Sequence, residues 1–297
     1  MAPNLVPQGG ATFQFDWTPP ATNAGPVTFF VAGNAANGDR NFTGDLIYTS
    51  SLQLTPAVPA APSVTAGNIV NAATTLAGPV APNSWVTIYG SNLGVTTRSW
   101  ADSDFLDGAL PSSLDGVSVV LTLFGAPRLT YVGYVSPTQV NFLLPSDLSV
   151  TATTVQVRNP AGMSTAVPIT TQANAPQLFI TDGRHVLCAH SNGAFLTSTT
   201  PAAPGETIVV YGTGLGATNP AQVPGQVAAA PASLVTLPQV TIGGAAATVA
   251  CAGIVPGSAG LYQINVRVPS DAVNGDLPLI FQLGTASSAS TLVTVQK

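Results

Sequence analysis

Charge is what this chain lacks most. Lys297 is its only lysine and Glu206 its only glutamate, and charged residues make up 6% of 297, against roughly 25% in an average soluble domain. The six arginines stand singly and the net charge is −5, so there is no basic stripe and no nucleic-acid surface is expected. Mean hydropathy is positive, yet no apolar run reaches the roughly 18 residues of a membrane helix, so no membrane span is expected. The absence of an internal lysine excludes a Lys–Asn isopeptide clamp. No Gly-x-Ser-x-Gly elbow occurs, and both histidines fall in one short segment, which leaves nucleophilic catalysis without its parts. Met1 is followed by Ala-Pro-Asn-Leu-Val-Pro, without the basic and apolar regions of a secretory leader. An exported chain would have lost its leader or would begin upstream.

What is present is Val, Thr, Gly and Pro, a composition that reads as all-β with many turns. The chain also repeats itself. "APNSWVTIYGSNLG" (81–94) matches "APGETIVVYGTGLG" (203–216), and "SPTQVNFLLPSD" (136–147) matches "GLYQINVRVPSD" (260–271). "TTVQVRNPAGMSTAVPITTQ" (153–172) resembles "LPLIFQLGTASSASTLVTVQ" (277–296). A period of about 110–120 residues predicts two duplicated domains rather than a solenoid. Module 1 is expected over 59–172 and module 2 over 173–297, each a run of short strands of immunoglobulin-like spacing. Alternation turns Val140, Phe142, Ile264 and Val266 inward and Gln139, Asn141 and Gln263 outward. Leu93 and Leu215 should tuck back into their cores.

Residues 1–58 differ. "ATFQFDWTPP" sets Phe13, Phe15 and Trp17 on one face of an expected strand, and Phe29 and Val31 share a face of the next. "GDLIYTSSLQLTP" is a further strand, and "TPAVPAAPSVTAG" (55–67) reads as a stiff linker. Three or four strands are few for a closed sandwich. The five apolar residues are therefore expected to make a self-association contact.

"NIVNAATTLAGPVAPNSWVTIYGSNLG", "TRSWADSDFLDGALPSSLDGVSV", "YVSPTQVNFLLP", "APGETIVVYGTGLGATNPA" and "GLYQINVRVP" together resemble an uncharacterised C-terminal domain family of secreted acidobacterial (Solibacter-type) proteins. Its halves are similar to IPT/TIG immunoglobulin-like folds. The resemblance covers about residues 64–296 and implies export to the cell surface or medium and a pair of β-sandwiches. It brings no catalytic residues. "FDWTPP…GPVTFFVAGNAANGD…GDLIYTSS" (about 8–55) resembles the second half of a Reelin-type, choice-of-anchor domain, whose first half has no counterpart here.

Four motifs invite chemistry. "HVLCAH" holds His185, Cys188 and His190, good zinc ligands, but a fourth ligand is not evident. Cys188 is expected instead to form a disulfide with Cys251, with two buried free thiols as the alternative. "GTGLG" (212–216) mimics a phosphate loop, but no helix follows it, so a tight turn is expected. Asp102, Asp104 and Asp107 alternate as calcium ligands do, yet the later glutamate is missing; local Asx turns are the plainer reading and the calcium question stays open. Trp85, Trp100 and Tyr262 could stack on sugars, though packing is the commoner fate of such rings. No cofactor, metal or catalytic residue is assigned. The leading expectation is a non-catalytic, exported structural or adhesive protein that self-associates, with a filament joined by strand complementation as the form this would take. A carbohydrate-binding or substrate-targeting module is the alternative, with glycans as partners.

Overall fold

The computed structural model describes residues 12–20, 24–36, 38, 41, 43–55, 60–151 and 153–297. Its elements are β-strands; the one helical turn among the described residues is a 3-10 turn at Asp102–Asp104. No helix among them is long and apolar enough to cross a membrane. The chain divides into two compact units, Met1–Val58 and Pro59–Lys297.

In the first unit, Val27–Ala35 and Leu46–Leu54 form an antiparallel hairpin from Val27↔Leu54 to Ala35↔Leu46. Residues 12–20 carry no strand, so the alternation of Phe13, Phe15 and Trp17 does not mark one. A strand exists only where a neighbour takes its backbone groups, and no ladder reaches this segment. Phe15 and Trp17 instead lay their rings on Phe29, at centroid distances of 5.6 and 5.3 Å. The linker expected over 55–67 is also shorter. Residues 56–59 lie outside the described residues, and Ser63–Asn71 is already a strand, with Ser63 opposite Ser91.

The second unit holds two β-sandwiches in tandem, each with its own apolar core. In the first, one sheet runs Ser63–Asn71, Trp85–Ser91, Gln139–Leu143, Tyr131–Val135, Arg98–Ser99. Facing it are Thr153–Asn159, Ser118–Leu123 and Ala126–Leu129, with Gly162–Met163 and Val167–Ile169 on the Thr153–Asn159 strand. Val86, Ile88, Val140 and Phe142 from one sheet meet Val119, Leu121, Val155 and Val157 from the other, all essentially without solvent contact. The second sandwich repeats this plan around Thr207–Thr213, Tyr262–Arg267, Gly275–Leu283 and Thr291–Val295.

The doubled phrase is the paired centre of each sandwich. Tyr89↔Gln139 and Ile88↔Val140 in the first copy become Tyr211↔Gln263 and Val210↔Ile264 in the second. Val140, Phe142, Ile264 and Val266 are fully buried, as are Leu93 and Leu215. Gln139 and Gln263 stay half-exposed, each reaching along its strand to the asparagine two residues on, at 2.8 and 3.2 Å. The hairpins repeat too. Val157 N–H donates to Ser164 Oγ and Phe281 N–H to Ser288 Oγ, both at 3.0 Å, and each serine hydroxyl donates to the next carbonyl. In both copies a strand switches sheets. Ala245–Ile254 does so without interruption, pairing first with Gln239–Ile242 and then with Tyr262–Arg267. In the first copy the same path breaks at buried Thr130.

One local choice works against the fold. The turn at Gly243-Gly244 has φ of 62° and 83°. Its counterpart is Phe124-Gly125, with φ of 50° and 81°. Both are two-residue hairpins of the kind that demands positive φ twice, and Phe124 is 82% exposed, so no packing offsets the strain. Phe124→Asn should raise stability by about 0.5–1 kcal/mol, read as a higher denaturant midpoint with an unchanged slope. An unchanged or lower midpoint would show that Phe124 is held by something other than its turn.

Candidate functional site

The residue that ties the two sandwiches together is Thr213, at the end of the Thr207–Thr213 strand. It is fully buried. Its hydroxyl accepts from Trp85 N–H at 3.0 Å and donates to the Gly260 carbonyl at 2.8 Å. The Trp85 indole N–H donates to the Ala259 carbonyl at 2.8 Å. Gly260, at φ +65°, packs against Leu143, the Asn83 carbonyl and the Trp85 ring. A side chain there would meet all three. Nearby, Leu110 N–H donates to the Gly225 carbonyl at 2.7 Å, Ser146 Oγ donates to Gln222 O at 2.8 Å, and Gly225 lies against the Tyr131 ring. Apolar contact and satisfied polar groups together make the two modules one body.

Beside this junction is a cleft of about 360 Å³ between the modules. Asn83 and Tyr262 line it, with Ser146 and Asp147 from the first module. Tyr262 is buried and its hydroxyl donates to the Gly216 carbonyl at 2.6 Å. Burial pushes its pKa up to about 12, while the Asn83 amide beside it pulls the other way. Asn83 is 7% exposed, and its Nδ2 has no hydrogen-bond partner of good geometry among the described residues. Asp147 pairs with Arg128.

The "HVLCAH" residues are drawn apart. His185 Nδ1 lies 2.6 Å from Asp182 Oδ2 and Nε2 lies 3.3 Å from Asp276 Oδ2. Both ring nitrogens therefore face carboxylates, which favours the imidazolium. Asp182 also accepts from the Arg184 and His185 N–H groups, and Asp276 from the Thr294 hydroxyl. The Asp182 bond is the main reason that the His185 pKa is raised; the His185 backbone bond is the main reason that the Asp182 pKa is lowered. This cluster edges a cleft of about 470 Å³ with an apolar wall that includes Val186, Cys188 and Leu292. His190 turns elsewhere, to Glu206 Oε1 at 2.5 Å. The other oxygen of that sole glutamate accepts from Ala203 N–H at 2.8 Å, the turn bond that Ser84 makes with Ala81 N–H in the first copy.

The disulfide is not formed: Cys188 and Cys251 are free thiols. Cys188 stands opposite Val210, Val210 opposite Ile264, and Ile264 opposite Ala252. Cys251 is thus three strands away, about 14 Å at the usual strand spacing, against the roughly 4–7 Å between Cα atoms that a bridge needs. It also sits on the other face, exposed at a bulge between Val249 and Cys251, while Cys188 points into the core. Burial, and then the Glu206 charge, push the Cys188 pKa up to about 12.

The remaining motifs have structural partners. Leu215 of "GTGLG" is buried, and Thr218–Asn219, a strand, follows the loop where a phosphate site would need a helix. In the aspartate loop, Asp104 is held by Arg98 at 2.7 and 3.0 Å, and Arg98 also holds Asp115 at 2.8 Å. Those contacts lower both carboxylate pKa values. No group of three or more potential metal ligands occurs among the described residues. Trp100 packs edge-on against Trp85 at 5.4 Å and against Phe105 at 5.1 Å. Of the hairpin residues, Phe13, Phe15 and Val31 are 63%, 65% and 59% exposed, Trp17 is also exposed, and Phe29 is half-covered.

No family model and no curated protein matches the chain. Among solved structures, the mixed-linkage glucan utilization locus protein SGBP-B of Bacteroides ovatus, in complex with a mixed-linkage heptasaccharide, aligns with 85% of this chain and 50% of its own, at 13% identity and TM-score 0.33. The plexin A4 extracellular region aligns with 79% of this chain and 16% of its own, at 15% identity and TM-score 0.25. Domains 5–6 of the S-layer protein SbsC align with 79% of this chain and 98% of their own, at 13% identity and TM-score 0.23. The chain thus spans half the length of the first of these. Likenesses of this size bear on neither ligand nor assembly.

Two outcomes follow. Thr213→Val should lower stability by about 2–4 kcal/mol, because the Trp85 N–H and Gly260 carbonyl each lose a buried partner; chemical denaturation measures it, and a loss below measurement error would refute the bridging role. The His185 cluster should make stability pH-dependent. A raised histidine pKa contributes stability fully below about 6.5, the unfolded value, and loses it as pH rises through the folded value. Lowered carboxylates contribute above their unfolded value and lose it in acid. The cluster therefore stabilises most between the two ranges. Melting temperature should fall on going from pH 6 to pH 9, and less steeply in His185→Gln; equal slopes would exclude the cluster as the source.

Proposed function

We propose that the chain is a non-catalytic, exported structural or adhesive protein of the cell surface, whose copies join through the Met1–Val58 unit. The observation that carries this reading is the apolar face of the hairpin. Residues directly opposite in a ladder share a face, so Val27, Phe29, Val31, Leu46, Tyr48, Leu52 and Leu54 all lie on one side. Val31, Leu46, Tyr48 and Leu52 are each more than half exposed. A two-stranded hairpin is marginal alone, and no third strand lies at either of its edges among the described residues. A second copy supplies both what the face and what the edges need: an apolar cover and a strand. A contact of hairpin to a different surface of the next copy is heterologous and need not close into a ring, which suits a filament. The ties made by His185, His190 and Glu206 support the non-catalytic part, since each is engaged in holding a loop or turn. Export rests on the resemblance to secreted proteins.

Light scattering on the 297-residue protein tests the reading. Mass should grow with concentration through the micromolar range, and Val31→Lys with Leu52→Lys should abolish the growth, because edge and face lysines block strand association. A monomer at high micromolar concentration would sink the proposal. So would association unaffected by the two lysines.

A further inference from the structure

We infer that the hairpin of one chain docks on the edge that residues 245–247 present in the second sandwich of a neighbouring chain, adding its strands to that sheet. The inference rests on the assembly reading above and names the surface that receives the hairpin. It comes from one edge seen in its two versions. In the first sandwich the edge is Ala126–Leu129, which pairs with Ser118–Leu123 and has no ladder on its far side among the described residues. In the second it is the start of Ala245–Ile254, which pairs there with Gln239–Ile242; Tyr262–Arg267 joins only from Thr248 onward. Leu123↔Ala126, Thr122↔Pro127 and Leu121↔Arg128 in the first ladder become Ile242↔Ala245, Thr241↔Ala246 and Val240↔Ala247 in the second. Ala246 thus stands where the first sandwich has Pro127, and Ala247 where it has Arg128.

These are the two positions that an incoming strand would meet. After a two-residue turn the closing pair exchanges both of its hydrogen bonds and the next pair exchanges none. Pro127 and Ala246 therefore aim their backbone nitrogens away from the ladder. At Pro127 that nitrogen has no proton to give. Ala246 has one, the residue is exposed, and no backbone group beyond its own ladder meets it among the described residues. Opposite residues share a face, so Arg128 and Ala247 lie on the core side, across from buried Leu121 and Val240. Arg128 sets a charge at the rim of the first core, tied to Asp147; an inward charge on an edge is one means of refusing a further strand. Ala247 is half-buried against the second core and puts only a methyl group on the same rim. A proline and an arginine close one edge, and its duplicate is open in both respects.

The hairpin matches that opening. Its strands of nine residues each carry neither charge nor proline, and each has an outer edge without a ladder among the described residues. A strand added in register lays its apolar side along the side that holds Val240, Ile242 and Ala247, so one contact pairs open backbone and extends the rim of the core. Addition of a strand to a free sheet edge is a general mode of recognition. Giver and receiver are different surfaces, so each chain can give one hairpin and take another.

Sedimentation of the full chain tests this. Ala246→Pro and Ala247→Arg copy residues that the first sandwich carries in a folded ladder, so each variant should melt close to the parent. Each should weaken association at least about tenfold, and the double variant should stay monomeric through the micromolar range. The double variant keeps its hairpin, and Val31→Lys with Leu52→Lys keeps its edge. Mixed, these two monomers should form a complex of two chains and no larger, because one hairpin and one edge remain to join. Undiminished association of Ala246→Pro, or a dimer of the double variant alone, would overturn the docking site while the assembly reading stands. A mixture of the two folded variants that stays monomeric would overturn it as well. A parent chain that is itself monomeric would overturn both.

Discussion

One threonine hydroxyl decides how much of this molecule acts as a single body. Thr213 Oγ stands between Trp85 N–H and the Gly260 carbonyl, in a place water does not reach. Both groups belong to backbone that must be satisfied if it is buried; the Gly260 bond is made within the second module and orients the hydroxyl, and the Trp85 N–H of the first module is satisfied by it across the junction. Separating the modules would return the Trp85 N–H to water, but shifting one against the other would leave it buried and unpaired. The junction therefore resists sliding more than its area would suggest. The Leu110–Gly225 and Ser146–Gln222 bonds add the same constraint at other points, so rotation about Thr213 is opposed as well.

The duplication explains where such a junction could arise. The modules meet head to tail, the Gly-Thr-Gly-Leu-Gly end of the second against the Asn83–Trp85 and Leu143–Ser146 end of the first. Each copy has both kinds of end, so each also has a free one. At the free ends the equivalent residues are small or polar. Trp85 corresponds to Thr207, Leu143 to Arg267 and Tyr262 to Thr138. Arg267 and Thr138 are exposed, while Leu143 and Tyr262 are buried. The two copies have thus diverged in the direction expected of capping repeats, apolar where they touch each other and polar where they face solvent.

That divergence is also the signal a reading of the sequence overlooks. The core was legible because alternation against a period of two fixes which residues turn inward, and the doubled Gln-Val-Asn and Gln-Ile-Asn phrases gave the register twice. Aligning the copies for likeness found the modules; aligning them for difference would have found the junction, since Trp85 against Thr207 and Tyr262 against Thr138 are exchanges no core position would tolerate. Two readings failed for a common reason. The pairing of Cys188 with Cys251 and the strand through Phe13 and Trp17 both assumed a neighbour that sequence spacing does not supply. Whether two strands adjoin is a matter of topology: Cys188 and Cys251 share a sheet but are separated by two intervening strands.

The scarcity of charge weighs differently on the two units. Exposed strand edges invite pairing with other chains, and proteins blunt them with charge or proline. In the second unit, some such residues stand at edges of the first sandwich, while Arg158, Arg267, Asp276 and Pro278 lie on strands paired on both sides. Arg98 is on the short Arg98–Ser99 strand that ends one sheet; Pro127 and Arg128 lie on Ala126–Leu129, at one edge of the other, and Pro168 lies on Val167–Ile169. With six arginines in the chain, placing two at edges is economical use of a rare residue. The hairpin has no such device: neither Val27–Ala35 nor Leu46–Leu54 contains a charge or a proline. Two long strands with neither charge nor proline and with an apolar face leave the hairpin without the protection that Arg98, Pro127, Arg128 and Pro168 give the edges of the first sandwich.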